Sequence, residues 1–118
     1  MATFSKVLLS GSTDGKAVKV TGTSTAATVT VHTAGSGTSN RDEIWIYANN
    51  TTASSVKLTL EWGTATAADG NIELTVQPEA GLVTVIPGLL LQNSLTVKAF
   101  AATADAILVS GFVNRITV

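Results

Sequence analysis

The chain has 118 residues, enough for one domain with its own core, and no cysteine, which excludes a disulfide scaffold, thiol catalysis and cysteine-based zinc sites. Only 13% of the residues are charged and the net charge is -1, so no basic stripe exists to neutralise phosphates, which argues against nucleic-acid binding. The hydrophobic fraction is 45%, and Thr, Ser and Ala supply much of the rest. Such a surface is neutral and hydroxyl-rich, and few charges keep neighbours apart, which favours self-association or docking.

Nearly every segment has a period of two, the signature of half-buried strands. TFSKVLL begins the set, and its only continuous apolar run is Val7 to Leu9, too short for a secretory signal. AVKVTG places Val18 and Val20 on one face. ATVTVHT sets Val29 and Val31 against Thr28, Thr30 and His32, which puts His32 on the polar, solvent-facing side. In DEIWIYAN, Ile44, Ile46 and Ala48 oppose Trp45 and Tyr47, so both faces are apolar and the strand is expected to be central. SVKLTLEW and NIELTVQ alternate cleanly. GLVTVIP and SLTVKAF follow, and AILVSGFVNRITV closes the chain with Gly111 inside it, where glycine often marks a bulge or bend. Between these runs lie GSTDGK, AGSGTSN, NNTTAS, GTATAADG, QPEAG, PGLLLQN and AATAD, turn signals at short and even intervals. No run approaches the ~18 apolar residues of a membrane span.

About eight or nine short strands with this spacing predict an all-β, single-domain antiparallel β-sandwich over residues 1–118, of jelly-roll type. Residues 1–6 form either the first strand or an arm that docks on a neighbouring chain.

The stretch HTAGSGTSNRDE, from His32 to Glu43, gathers the only histidine, the hydroxyls of Thr33, Ser36 and Ser39, Arg41 and two carboxylates. A catalytic triad needs three side chains converging at hydrogen-bond distance, which closeness in sequence does not supply. The stretch therefore reads as a loop, with Asp42 and Glu43 solvating the strand end or pairing with Arg41. GSTDGK resembles a shortened phosphate loop, but its spacing is one residue short and a strand follows, so Asp14-Gly15 reads as a hairpin turn. Glu61 and Glu73 could be cross-strand neighbours, and a solvated face is the expected place for both. The Asn-x-Ser/Thr matches at Asn49 and Asn50 read as a turn. No catalytic, metal-binding or cofactor-binding residue is assigned, and no enzymatic activity is expected.

Two groups remain as candidate contact residues. Trp45 and Tyr47 share a face and are the aromatics placed to reach a surface, where they could stack on sugar rings. In PGLLLQN, a turn at Pro87-Gly88 is followed by Leu89, Leu90 and Leu91 without alternation, so they cannot all face one core. Either this strand is buried on both sides or another chain covers it. Phe4 joins Pro87, Leu89, Leu90 and Leu91 as candidate subunit or capsid contacts.

MATFSKVLLSGSTDGKAVKV, DEIWIYANNTTASSVKLTLEW and GLVTVIPGLLLQNSLTVKAFAATAD resemble small virion proteins of tailed bacteriophages, and most narrowly their head decoration, or capsid-stabilising, proteins. The resemblance implies a β-rich module on the capsid exterior, made in the bacterial host cytoplasm. It implies the major capsid protein as partner, with homo-oligomers such as trimers at local three-fold positions. It implies no cofactor, nucleic-acid partner or membrane partner. The alternative is a carbohydrate- or receptor-binding module of a tail, neck or fibre.

Overall fold

Strong period-two patterning in the sequence becomes nine strands and one turn of 3-10 helix in the computed structural model, which describes residues 2–118. The strands are β1 (Thr3–Leu8), β2 (Val18–Lys19), β3 (Val29–Thr33), β4 (Asn40–Asn50), β5 (Val56–Trp62), β6 (Asn71–Val76), β7 (Val83–Leu91), β8 (Thr96–Ala101) and β9 (Ile107–Thr117). The helical turn, Thr25–Ala27, precedes β3. A five-stranded sheet runs β1-β9-β4-β7, with β2 also on β9; a four-stranded sheet runs β3-β8-β5-β6. Because β4 pairs with β9 along its whole length, β1 and β2 share the other edge of β9 as two pieces of one broken strand. Counted so, the antiparallel pairs β1·β9, β3·β8, β4·β7 and β5·β6 nest as in one long hairpin rolled into two sheets. That wrapping is the jelly-roll form of the sandwich.

The core between the sheets is aliphatic. Ile44, Ile46 and Ala48 of β4, Ile107, Val109 and Val113 of β9 and Ile86 of β7 face Val31, Val97, Ala99, Leu58, Leu60 and Val76 from the other sheet. No aromatic side chain is buried among the described residues. The accessible surface, 6042 Å², is close to the roughly 6,000 Å² expected for a compact chain of this mass.

Three departures from plain alternation set up the surface features. In β3, Thr30 pairs with Lys98 and His32 with Val97, so Val31 is an extra residue in a bulge. The bulge shifts the parity, and both Val31 and His32 turn inward. In β7, Gly88 and Val85 are skipped in the register with β4. Pro87-Gly88 is thus a bulge within a continuous strand rather than the turn expected from its composition. Gly88 has φ +87°, and a Cβ there would stand 2.9 Å from the Trp45 ring, so glycine is required twice over. Gly111 marks no bulge: β9 keeps register with β4 throughout, and a Cβ at this position would meet the Trp45 carbonyl at 1.9 Å. It permits close backbone approach.

The segment considered as a docking arm is part of the sheet. Thr3 to Lys6 pair with Thr117 to Asn114, and backbone pairing holds them as an edge strand, while Met1 lies outside the described residues. Pro87 and Leu89 to Leu91 sit on the other edge of the same sheet, where β7 pairs only with β4. Leu89 and Leu90 are 45% and 53% exposed, which excludes a strand buried on both sides.

Candidate interaction face

Directly opposed residues of an antiparallel pair share a face. On the outer face of the five-stranded sheet, Trp45 opposes Phe112, Leu8 opposes Phe112 from the other side, and Phe4 opposes Ile116. The rings of Trp45 and Phe112 are stacked, 5.9 Å between centroids and 9° between planes. Lys6 lays its ammonium 4.6 Å from the Phe112 centroid. Gly88 packs against the Trp45 indole from the β7 side. A row Lys6–Phe112–Trp45–Gly88 therefore crosses β1, β9, β4 and β7. Trp45 Nε1 donates to Glu43 Oε1 at 2.9 Å, and Asn114 Nδ2 donates to the same oxygen at 2.8 Å. These two donors hold the Glu43 carboxyl below its ordinary value.

This arrangement settles the place of the two candidate aromatics. Trp45 and Tyr47 are half-buried; the indole stacks on Phe112, and Gly88 approaches its six-membered ring. The residues that stand free are aliphatic or lie at the edges: Phe4 is 70% exposed, Leu8 53%, Leu90 53% and Leu89 45%, with Pro87 also exposed. Leu91 is 8% exposed and belongs to the core, so it separates from the contact group. The rest of that group falls on the two opposite edges of one sheet, Phe4 on β1 and Pro87, Leu89 and Leu90 on β7. Leu8 joins them and was not distinguishable by pattern, because it is the middle of an apolar run whose two ends, Val7 and Leu9, pack inward.

Beside the end of β7 lies a cavity of about 340 Å³ lined by Arg41, Leu90, Leu91, Gln92 and Leu95. Its walls stand on a fixed backbone. Asn93 and Ser94, both at positive φ, make the turn into β8, and their N–H groups donate to the Gly37 and Gly35 carbonyls. The loop of the HTAGSGTSNRDE stretch, residues 34–39, is thereby tied to the rim of the cavity.

The flanks of that stretch are not loop. His32 and Asp42 are both fully buried, contrary to a solvent-facing histidine and a solvated strand end. The Ser10 N–H donates to His32 Nδ1 at 2.9 Å, so the ring proton is on Nε2, which donates to Asp42 Oδ2 at 2.8 Å. Asp42 also accepts from the Gly35 N–H and, bidentately, from Arg115 Nε and Nη2 at 2.8 and 2.9 Å. Burial by itself raises the Asp42 carboxyl, but the hydrogen bonds and charges of Arg115 and His32 outweigh it, and the net shift is downward. The same pair raises Arg115.

Ser10, His32 and Asp42 have the composition of a catalytic triad but not its geometry. Ser10 reaches the imidazole through its backbone nitrogen, and its Oγ accepts from the Thr33 N–H at 2.7 Å. Both ring nitrogens are spent on structural bonds, which leaves no base to activate a nucleophile. The network instead ties β3 of one sheet to β4 and β9 of the other.

Glu61 also departs from expectation. It is buried at 2% exposure on the outer side of β5, where its Oε2 accepts from Thr25 Oγ1 at 2.6 Å and its Oε1 has no partner. Glu73 is exposed and pairs with Lys57. The two carboxylates oppose Asn71 and Thr59 and do not face each other across a cleft. Among the described residues, no group of three or more His, Asp or Glu side chains could hold a metal ion. No family model, curated protein or solved structure matches this chain.

Proposed function

We propose that this protein is a structural docking module that attaches to a larger assembly through the outer face and edges of its five-stranded sheet. The observation that carries this reading is the aromatic placement: the core is aliphatic, while Trp45 and Phe112 lie half-buried, and Phe4, Leu8 and Leu90 exposed, on the outer sheet face. Exposed apolar surface of that kind marks interaction sites. The row Lys6–Phe112–Trp45–Gly88 stiffens the face, so little side-chain freedom is lost on contact. The resemblance of the sequence to phage head decoration proteins makes the tailed-phage shell the assembly we propose, with the major capsid protein as partner and further copies of this chain as neighbours. The glycan-binding alternative has less support because Trp45 and Tyr47 are half-buried and Trp45 is already stacked on Phe112.

The test is attachment. Quantitative mass spectrometry of purified virions, normalised to the major capsid protein, is expected to give one copy per capsid subunit or a simple fraction of it. A handful of copies per particle would move the module to neck, tail or fibre, and absence from particles would remove the virion reading. Phe4→Asp combined with Leu90→Asp changes only exposed positions and is expected to leave the fold intact while abolishing attachment.

A further inference from the structure

The chain has two arginines, and the structure treats them in opposite ways. Arg115 is clamped bidentately onto the buried Asp42. Arg41 is exposed at the lip of the 340 Å³ cavity and takes part in none of the ion pairs or side-chain hydrogen bonds among the described residues. Neither acidic neighbour in sequence contacts it: Asp42 points inward onto His32 and Arg115, and Glu43 Oε1 accepts from Trp45 and Asn114. The remaining lining is three leucines and Gln92, and two of those leucines, Leu90 and Leu95, are 53% and 43% exposed.

An apolar pocket with one free guanidinium at its rim is complementary to an apolar group next to an anion. A guanidinium fork fits a carboxylate bidentately, and the leucines accept an aliphatic side chain. The volume is at the small end of ligand sites, roughly 300–1,000 Å³, which suits one side chain rather than an extended ligand. The geometry points to a specificity pocket for a leucine-like side chain carrying a neighbouring carboxylate, presented by the protein on which the module docks. This deepens the docking reading and rests on it. The occupant is a peptide segment with an aliphatic residue beside Asp, Glu or a terminal carboxylate. The end of β7 past the Pro87-Gly88 bulge, Leu89 to Leu91, has an unpaired outer edge and lies alongside to receive such a segment by strand addition.

The pocket chemistry is tested on the full chain by NMR titration with N-acetylleucine and, separately, N-acetylleucinamide, which share the isobutyl group and differ in charge. The expected result is that the acid shifts the methyl signals of Leu90, Leu91 and Leu95 and the Arg41 Nε–H. The amide should bind about tenfold more weakly, and Arg41→Gln should erase that difference. Equal binding of acid and amide, or shifts confined to other residues, would overturn the assignment. Particle occupancy separates this inference from the docking reading. Loss of occupancy in Arg41→Gln supports both. Full occupancy of Arg41→Gln overturns the pocket as the docking determinant and leaves the docking reading standing. No attachment of the unaltered protein sinks the docking reading and, with it, the partner assigned to the pocket.

Discussion

Asp42 is the residue on which one end of the sandwich depends. It accepts from His32, Gly35 and Arg115, groups on β3, on the loop before β4 and on β9. Removing one partner of a buried ion pair leaves an uncompensated charge, so Asp42→Ala is expected to cost about 3–5 kcal/mol in chemical denaturation. The same residue sets an acid limit. Its carboxyl lies below the ordinary value of 3.8 in the folded chain, so in that range the unfolded chain binds more protons. The stabilisation is complete above the ordinary value and is lost as pH falls through the depressed one. Denaturation midpoints measured downward from neutral pH should stay level and then drop below about pH 4, and Asp42→Asn should flatten that drop. Glu43, lowered by Asn114 and Trp45, acts in the same direction.

At the scale of the element, β7 and β1 are the two free edges of the five-stranded sheet, and each is managed differently. β7 carries Pro87 and two bulged positions, which blunt an edge against uncontrolled pairing. Gly88→Ala places a methyl group against the Trp45 ring at a φ that suits only glycine. It should lower stability by more than about 1 kcal/mol and disturb the Trp45 fluorescence. β1 is held by its register with β9. Deleting residues 1–6 should therefore do more than detach an arm. It should expose β9 and lower the melting temperature, whereas Phe4→Asp alone should change stability by no more than about 0.5 kcal/mol. Light scattering during thermal melts will show whether the truncated chain aggregates as its stripped edge predicts.

At the scale of the whole molecule, the low charge content and the apolar outer face bear on how the protein associates. With 13% charged residues and a net charge of -1, long-range steering contributes little. Attachment through the sheet face should change less than tenfold between about 0.05 and 0.5 M salt, where an interface built on charge pairs would weaken steeply. The Arg41 pocket adds one charged contact to this apolar base. Residual salt dependence should accordingly vanish in Arg41→Gln. Binding measured across a salt series with both chains tests the two statements together.

Much of the architecture was legible because it is written in local pattern. Alternation in SVKLTLEW and NIELTVQ, turn residues at even spacing and the absence of cysteine together specify an antiparallel sandwich, since each strand needs only its own two faces to declare itself. The exposed leucines were legible for the same reason: three in a row cannot share a face, and Leu90 points outward while Leu89 and Leu91 share the other face, Leu91 buried and Leu89 exposed. His32 was not. One extra residue at Val31 reverses the parity of everything after it, and no local pattern announces a bulge. Nor were the Asp42–Arg115 pair, 73 residues apart, or the stacking of Trp45 on Phe112 with Gly88 close by. Composition and periodicity determined that this chain would be a β-sandwich with apolar surface to spare. Only the register between distant strands decided which side chains that surface would present, because register is set by the sum of contacts along paired strands and not by any residue within one.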